Sequence, residues 1–315
     1  MLLKIFVLGG RKLRKIIMVF LVAMLCVSST VFAQGNITED GSRVNKGKLS
    51  KEEELIVEKR SEEVGRHFLA VAKAKAKLDE MSEHFTMQSK QVLSAQAELE
   101  ELEKGYQKLG LIKVSQEEEQ SVTPLSTKGD YALDKLTIYY DSKVGLHVIE
   151  MAGMWKNTNF YNDVQCPLSC RGTIDVGGKD GIGLFSLHRD INVISPKFYT
   201  ITHGTLAETD WSYRADKEIE RRGAAYSFQD TVQVERVNPP KFGQYNGYRH
   251  LIWYHFNFTD GYPRPGTTIS FKVTVAHTWG RAYVNSISAG PFSIGIGIAN
   301  ESDSWKFDEP TYMSF

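Results

Sequence analysis

Six histidines, His147, His188, His203, His250, His255 and His277, lie in the C-terminal part of the chain among many acidic residues. Imidazoles act as bases or metal ligands when spacing brings them together with each other or with a carboxylate. No pair here has the HExxH or CxxC type of spacing. His250 and His255 have opposite strand parity, so a strand would point them to opposite faces. His188-Arg189-Asp190 matches a kinase catalytic tripeptide in letters only, and its all-β surroundings exclude that role. The expectation is that these histidines are structural or solvated.

Gly177, Gly178, Gly181 and Gly183 are dense enough for a phosphate loop, but an apolar strand rather than a helix follows them, which reads as a turn. Asp175, Asp180 and Asp190 could offer oxygen ligands to calcium, yet no EF-hand pattern is present. No GxSxG nucleophile motif occurs. No catalytic residue, metal or cofactor is therefore expected. Trp211, Trp253, His255, Trp279 and Trp305 are the candidate binding residues: exposed rings on a β-domain can stack on sugars or anchor a partner, and packing in the core is the competing role.

The elements that would position these residues divide the chain near residue 120. All nine prolines lie at or after Pro124, all five tryptophans at or after Trp155, and 29 of 35 aromatic residues in the last 192 positions. The N-terminus has the pattern of a secretory signal of bacterial style. Lys4, Arg11, Lys12, Arg14 and Lys15 precede an apolar run from Ile16 to about Val27, and Val31 and Ala33 flank a cleavage point before Gln34. The apolar run, about 12 to 17 residues, is short of the ~20 needed to span a bilayer. Residues 1–33 are thus expected to be removed and the product secreted, with 34–50 as a flexible segment. Removal changes the balanced charge, 38 basic against 38 acidic, to a net of −5. A mildly acidic exported chain is not steered to nucleic acid or anionic lipid. The mature chain keeps two cysteines, Cys166 and Cys170, and export predicts a disulfide between them that closes a very small loop.

Residues 51–111 contain no proline and are rich in helix formers. Ser50 and Glu53 have capping-box spacing. Val57, Val64, Val71, Leu78, Phe85, Val92, Leu99 and Tyr106 recur every seven residues, which predicts a long coiled-coil helix that self-associates through this seam. Arg60, His67 and Gln88 at the second seam position, and apolar Leu55, Ile56, Phe68, Leu69, Met87 and Leu93 off it, weaken that reading. They leave open a helical hairpin, or a helix packed on the chain's own β-domain.

Residues 112–135 read as an acidic linker. From 136 to 315 the period changes to two, with ten to twelve short strand candidates between glycine and proline breakers. Only Asp210 to Arg222 reads as weakly helical. The expected fold class is α+β by segregation, a coiled coil followed by a β-sandwich or irregular barrel. Residues 248–277 read as its best hairpin. The leading function is an exported, non-catalytic oligomer displaying a β-domain to a cell surface, glycan or protein ligand. The alternatives are a membrane-active, pore-forming toxin, suggested by apolar alternation over Ser286–Ala299, and a secreted hydrolase with an unrecognised site. The secreted product should begin at Gln34; N-terminal sequencing that finds the apolar stretch retained would make the protein membrane-anchored instead.

Overall fold

The structure, a computed structural model, describes residues 49–84, 86, 89–114, 131–134, 136–156, 163–164, 171–203, 216–235, 241–279, 282–289, 294–300 and 304–314. Among the described residues two helices come first, α1 (Lys51–His84) and α2 (Lys90–Lys108). Ser50 caps α1 as the sequence predicts: the Glu53 amide donates to Ser50 Oγ at 3.3 Å, and the Ser50 amide donates to Glu53 Oε2 at 3.0 Å. The single helix expected over 51–111 is interrupted, because Ser89 caps a new start, its hydroxyl accepting from the Val92 amide. The two helices run antiparallel, with Lys77 paired to Glu98 at 2.8 Å and Lys75 to Glu103 at 4.0 Å.

Fifteen strands follow among the described residues: β1 (Leu111–Lys113), β2 (Tyr131–Leu133), β3 (Thr137–Asp141), β4 (Leu146–Trp155), β5 (Gly172–Asp175), β6 (Asp180–Ser186), β7 (Ile191–His203), β8 (Asp216–Glu220), β9 (Gly223–Phe228), β10 (Thr231–Glu235), β11 (Lys241–Phe258), β12 (Thr268–Thr278), β13 (Tyr283–Ala289), β14 (Ile294–Ala299) and β15 (Ser304–Ser314). An eight-stranded sheet has the order β1-β3-β4-β11-β10-β5, with β2 also on β4 and β7 on β11; a five-stranded sheet has the order β15-β12-β6-β9-β8; β13 and β14 form a two-stranded ribbon. All pairings are antiparallel.

The two large sheets share one core. Phe198 packs on Tyr226 and Phe228 at 5.2 and 4.8 Å between ring centroids, Phe256 on Phe271 at 5.6 Å, and the Tyr254 hydroxyl donates to the Leu184 carbonyl. Ile252, Tyr254, Phe256 and Phe258 face this core, as their alternation predicts. The expected 248–277 hairpin is not formed: β11 and β12 belong to different sheets, so the 259–267 connection crosses the core edge rather than turning within one sheet. Asp216–Glu220 is a strand rather than part of a helix. β15 escapes a sequence reading because Pro310 sits inside it; the strand tolerates proline because it is an edge, paired on one side only.

The other face of the eight-stranded sheet is covered by α1. Val64, Phe68 and Ala72 pack with Val148, Ala152, Ile201, Leu251 and Trp253, and Val57 packs with Leu146 and Ile194. The seven-residue seam is therefore used within one chain. Val57, Val64, Val71 and Val92 are buried, Leu78, Leu99 and Tyr106 are half-buried, and Phe85 lies outside the described residues. The described residues form no coiled-coil stalk and no closed barrel; the coarser α+β organisation stands. The polar seam positions have a reason in this arrangement. Arg60 reaches the sheet and donates through Nε and Nη2 to Asp141 at 2.8 and 3.1 Å, while His67 sets its ring edge-on to Tyr106. Burial by itself would raise the Asp141 carboxyl, but hydrogen bonds from His255 and Arg60 outweigh it and hold the group below its usual range. The 112–135 segment contributes most of β1, an edge strand beside β3, and β2, which pairs with β4; 115–130 lies outside the described residues.

Gly65 sits where α1 crosses Trp253. A Cβ there would come within 2.1 Å of the indole ring, and the Trp253 Nε1–H donates to Ser61 Oγ one turn earlier. Gly65→Ala should lower stability by about 1–3 kcal/mol through overpacking, even though alanine favours an exposed helix by ~1 kcal/mol. The sign decides the matter in a thermal melt: a rise in melting temperature would mean that α1 is not docked on Trp253.

Candidate functional site

Where the helical hairpin leaves the sheet, a cleft of about 730 Å³ opens. Lys75 comes to it from α1, Glu103, Tyr106 and Gln107 from α2, and Leu111, Ile112 and Lys113 from β1. The sheet supplies Asp134, Thr137, Tyr139, Glu150, Met151 and Ala152. β4 carries Glu150 opposite Thr137 of β3 and Trp253 of β11. Strand parity thus puts a carboxyl among Val148, Ala152 and Trp253, on the face that packs against helices. That choice breaks the local hydrophobic pattern, and such breaks concentrate at functional positions.

The charges around Glu150 are arranged but not cancelled. Lys75 Nζ lies 3.6 Å from Asp134 Oδ2 and 4.0 Å from Glu103 Oε1. Asp134 also accepts from Nη2 of buried Arg249, whose Nη1 lies 3.8 Å from Asp79. No hydrogen bond or ion pair of this set includes the Glu150 carboxyl. Loss of water drives its pKa up to about 8, aided by the negative charges of Asp134 and Glu103 and opposed by Lys75 and Arg249. Tyr106 and Tyr139 stack at 5.1 Å beside it, and burial pushes both phenols well above their usual range. The cleft therefore presents a carboxyl whose proton affinity is raised toward neutrality, able when protonated to donate and accept, beside Lys75, Asp134 and Glu103.

The sequence candidates fall elsewhere. Trp253 is 2% exposed under α1, and His255 is fully buried with Nε2 3.1 Å from Asp141 Oδ2. Neither can meet an outside ligand, which corrects their reading as exposed binding residues: the face opposite the core is covered by this chain's own helix. Trp279 is half-buried against His277, ring centroids 5.9 Å apart. Trp305 pairs with His277 across β15 and β12. Trp211, Cys166 and Cys170 lie outside the described residues. Asp175, Asp180 and Asp190 do not come together as a calcium site: Asp175 is exposed, Asp190 pairs with Arg222 at 3.1 Å, and Asp180 is buried at His277. The one hint of the cleft available in the sequence was Glu150 itself, a carboxyl directly after Val148-Ile149 and before Met151-Ala152.

No protein-family model matches the chain, and no curated protein matches it. A solved structure of AvmM, whose description reads that it catalyzes macrocyclization in alchivemycin A biosynthesis, is similar over 53% of this chain and 80% of that one, at 8% identity and a TM-score of 0.21. A score that low carries no argument about fold or activity.

Glu150 gives the cleft a pH signature. The unfolded chain releases this proton near 4.5 and the folded chain near 8, so between those values the native state holds the extra proton, and stability falls as pH rises across that window. Glu150→Gln removes the titration. Its melting temperature should gain on the wild type progressively from about pH 4.5 to about pH 8; a constant difference would show that Glu150 is ionised in the native protein.

Proposed function

We propose that this is an exported, non-catalytic binding protein that holds a small hydroxyl-rich ligand, such as one sugar unit of a surface glycan, in the cleft around Glu150. Sugars present hydroxyls that donate and accept at once, and sites for them combine a few placed polar groups with aromatic rings. The cleft offers that mixture: the Lys75 ammonium as donor, Asp134 and Glu103 as acceptors, Thr137 and Gln107 as either, and Tyr106 as a ring in the wall. The carrying observation is Glu150, an otherwise costly carboxyl set between the helix and sheet layers, where a ligand hydroxyl would satisfy it. Export rests on the N-terminal signal pattern alone.

Titration calorimetry of the full chain against monosaccharides and wall polysaccharide tests it. Binding should appear, and Glu150→Ala or Lys75→Ala should weaken it by roughly tenfold, the worth of one hydrogen bond to a buried or charged group. Binding that both variants leave intact would place the site elsewhere.

A second reading is favoured by the raised Glu150 proton affinity. A carboxyl with its proton affinity raised toward neutrality, with a second carboxyl, Asp134, in the same cleft, is the kind of pair that glycoside hydrolases use. Release of reducing ends that is lost in Glu150→Gln while binding persists would move the protein to that class.

A further inference from the structure

A second cluster lies away from the cleft, in the five-stranded layer. His277 ends β12, Asp180 opens β6, and Asp230 sits in the turn between β9 and β10. Their exposures are 2%, 2% and 1%. One ligand atom from each lies within 4.8 Å of the others. Each side chain has one polar atom held from outside the cluster. The Thr278 amide donates to Asp180 Oδ1 at 2.8 Å, the Tyr245 hydroxyl donates to Asp230 Oδ2, and His277 Nε2 lies 3.0 Å from Asp163 Oδ2. What remains is Asp180 Oδ2, 2.8 Å from His277 Nδ1, and Asp230 Oδ1, a buried carboxylate oxygen with no hydrogen-bond partner.

We propose that Asp180, Asp230 and His277 bind one divalent first-row transition-metal ion of the zinc type, with Asp163, Thr278 and Tyr245 orienting the ligands. Three observations converge on it. Among the described residues no lysine or arginine pairs with Asp163, Asp180 or Asp230, so three carboxylates share one imidazole, and a buried excess of negative charge is costly unless a cation offsets it. Fixing one atom of each ligand residue from outside is how proteins aim the other atom at a metal; an Nε2–H donated to Asp163 would leave the Nδ1 lone pair for the ion. One imidazole and two carboxylates suit zinc or manganese, whereas calcium takes oxygen ligands only. Three protein ligands leave a fourth position for water or a further ligand. The ring of Trp155 is set edge-on to His277 at 4.7 Å.

The full chain, stripped with a chelator and titrated with zinc chloride, should take up about one equivalent and melt several degrees higher, while calcium chloride leaves the melt unchanged. Asp230→Asn keeps the size of the side chain and its contact with Tyr245 but removes the charge. It should stay folded by circular dichroism and bind zinc at least tenfold more weakly, and His277→Gln should abolish uptake. Wild-type protein that binds no zinc at micromolar concentration overturns the proposal. So does an Asp230→Asn protein that binds zinc as tightly as wild type, or one that in the presence of zinc melts higher than zinc-loaded wild type, because a proton would then be serving where the cation is placed.

Discussion

Burial of the central strands β4 and β11 on both faces is the constraint on which the rest of this structure depends. Tyr254 and Phe256 point into the core shared with the second sheet, while Trp253 and His255, their neighbours along β11, point toward α1 and are equally buried. A sheet with two apolar faces cannot leave either to water, so the helical hairpin is a required third layer rather than an appendage. At about 25 cal/mol per Å² of apolar surface, docking of valines and Phe68 supplies the drive. It does not choose the position of the helix along the sheet. That choice falls to Arg60, which meets Asp141 and also donates to the Leu109 carbonyl where α2 ends. A buried ion pair adds little net stability against a well-packed apolar alternative, but a mispositioned one is costly, so it acts as a register pin.

The cleft follows from this docking. The hairpin covers the middle of the sheet, and Glu150 falls where coverage thins. A carboxyl fully under the helices would lack any partner; one fully in solvent would have an ordinary proton affinity. Its position between the two gives an acid poised near neutrality, held among Lys75, Asp134, Glu103 and Arg249. The His277 cluster is independent of that arrangement. It draws its residues from β6, β12 and the β9–β10 turn, so a change that loosens α1 would disturb the cleft and leave the cluster's strand pairing in place.

Much of the fold was legible in local patterns. The capping box at Ser50 was read from two residues, and the face of β11 bearing Ile252, Tyr254, Phe256 and Phe258 from its alternation, because both signals are carried by neighbours in the chain. The break between α1 and α2 was less visible: Ser89 is a good cap, but the heptad runs straight across it, and a seven-residue repeat serves a helix on a sheet as well as a helix in a coiled coil. The polar residues at Arg60 and His67 and the off-seam Phe68 were the clue that the repeat had another use. Neither site was assembled in advance. Glu103, Asp134 and Glu150 come from three elements, and Asp180, Asp230 and His277 from strands and a turn far apart in sequence, so no spacing motif could announce them.

By itself the sequence determined which segments are helical or extended, apart from Asp216–Glu220, β15 and the break between α1 and α2, and for most of them which face is apolar. These are consequences of backbone sterics, capping and period, and they need nothing beyond a few neighbouring residues. Only the tertiary structure decided what covers each apolar face, because the hydrophobic effect is non-directional and a valine stripe is equally satisfied by another chain or by its own sheet. It also decided which polar residues share a buried space, and that depends on how sheets pair across the whole chain. Trp253 and Glu150 show the difference: directly opposite one another in the sheet, the ring was sealed under α1 and the carboxyl was left at the lip of a cleft.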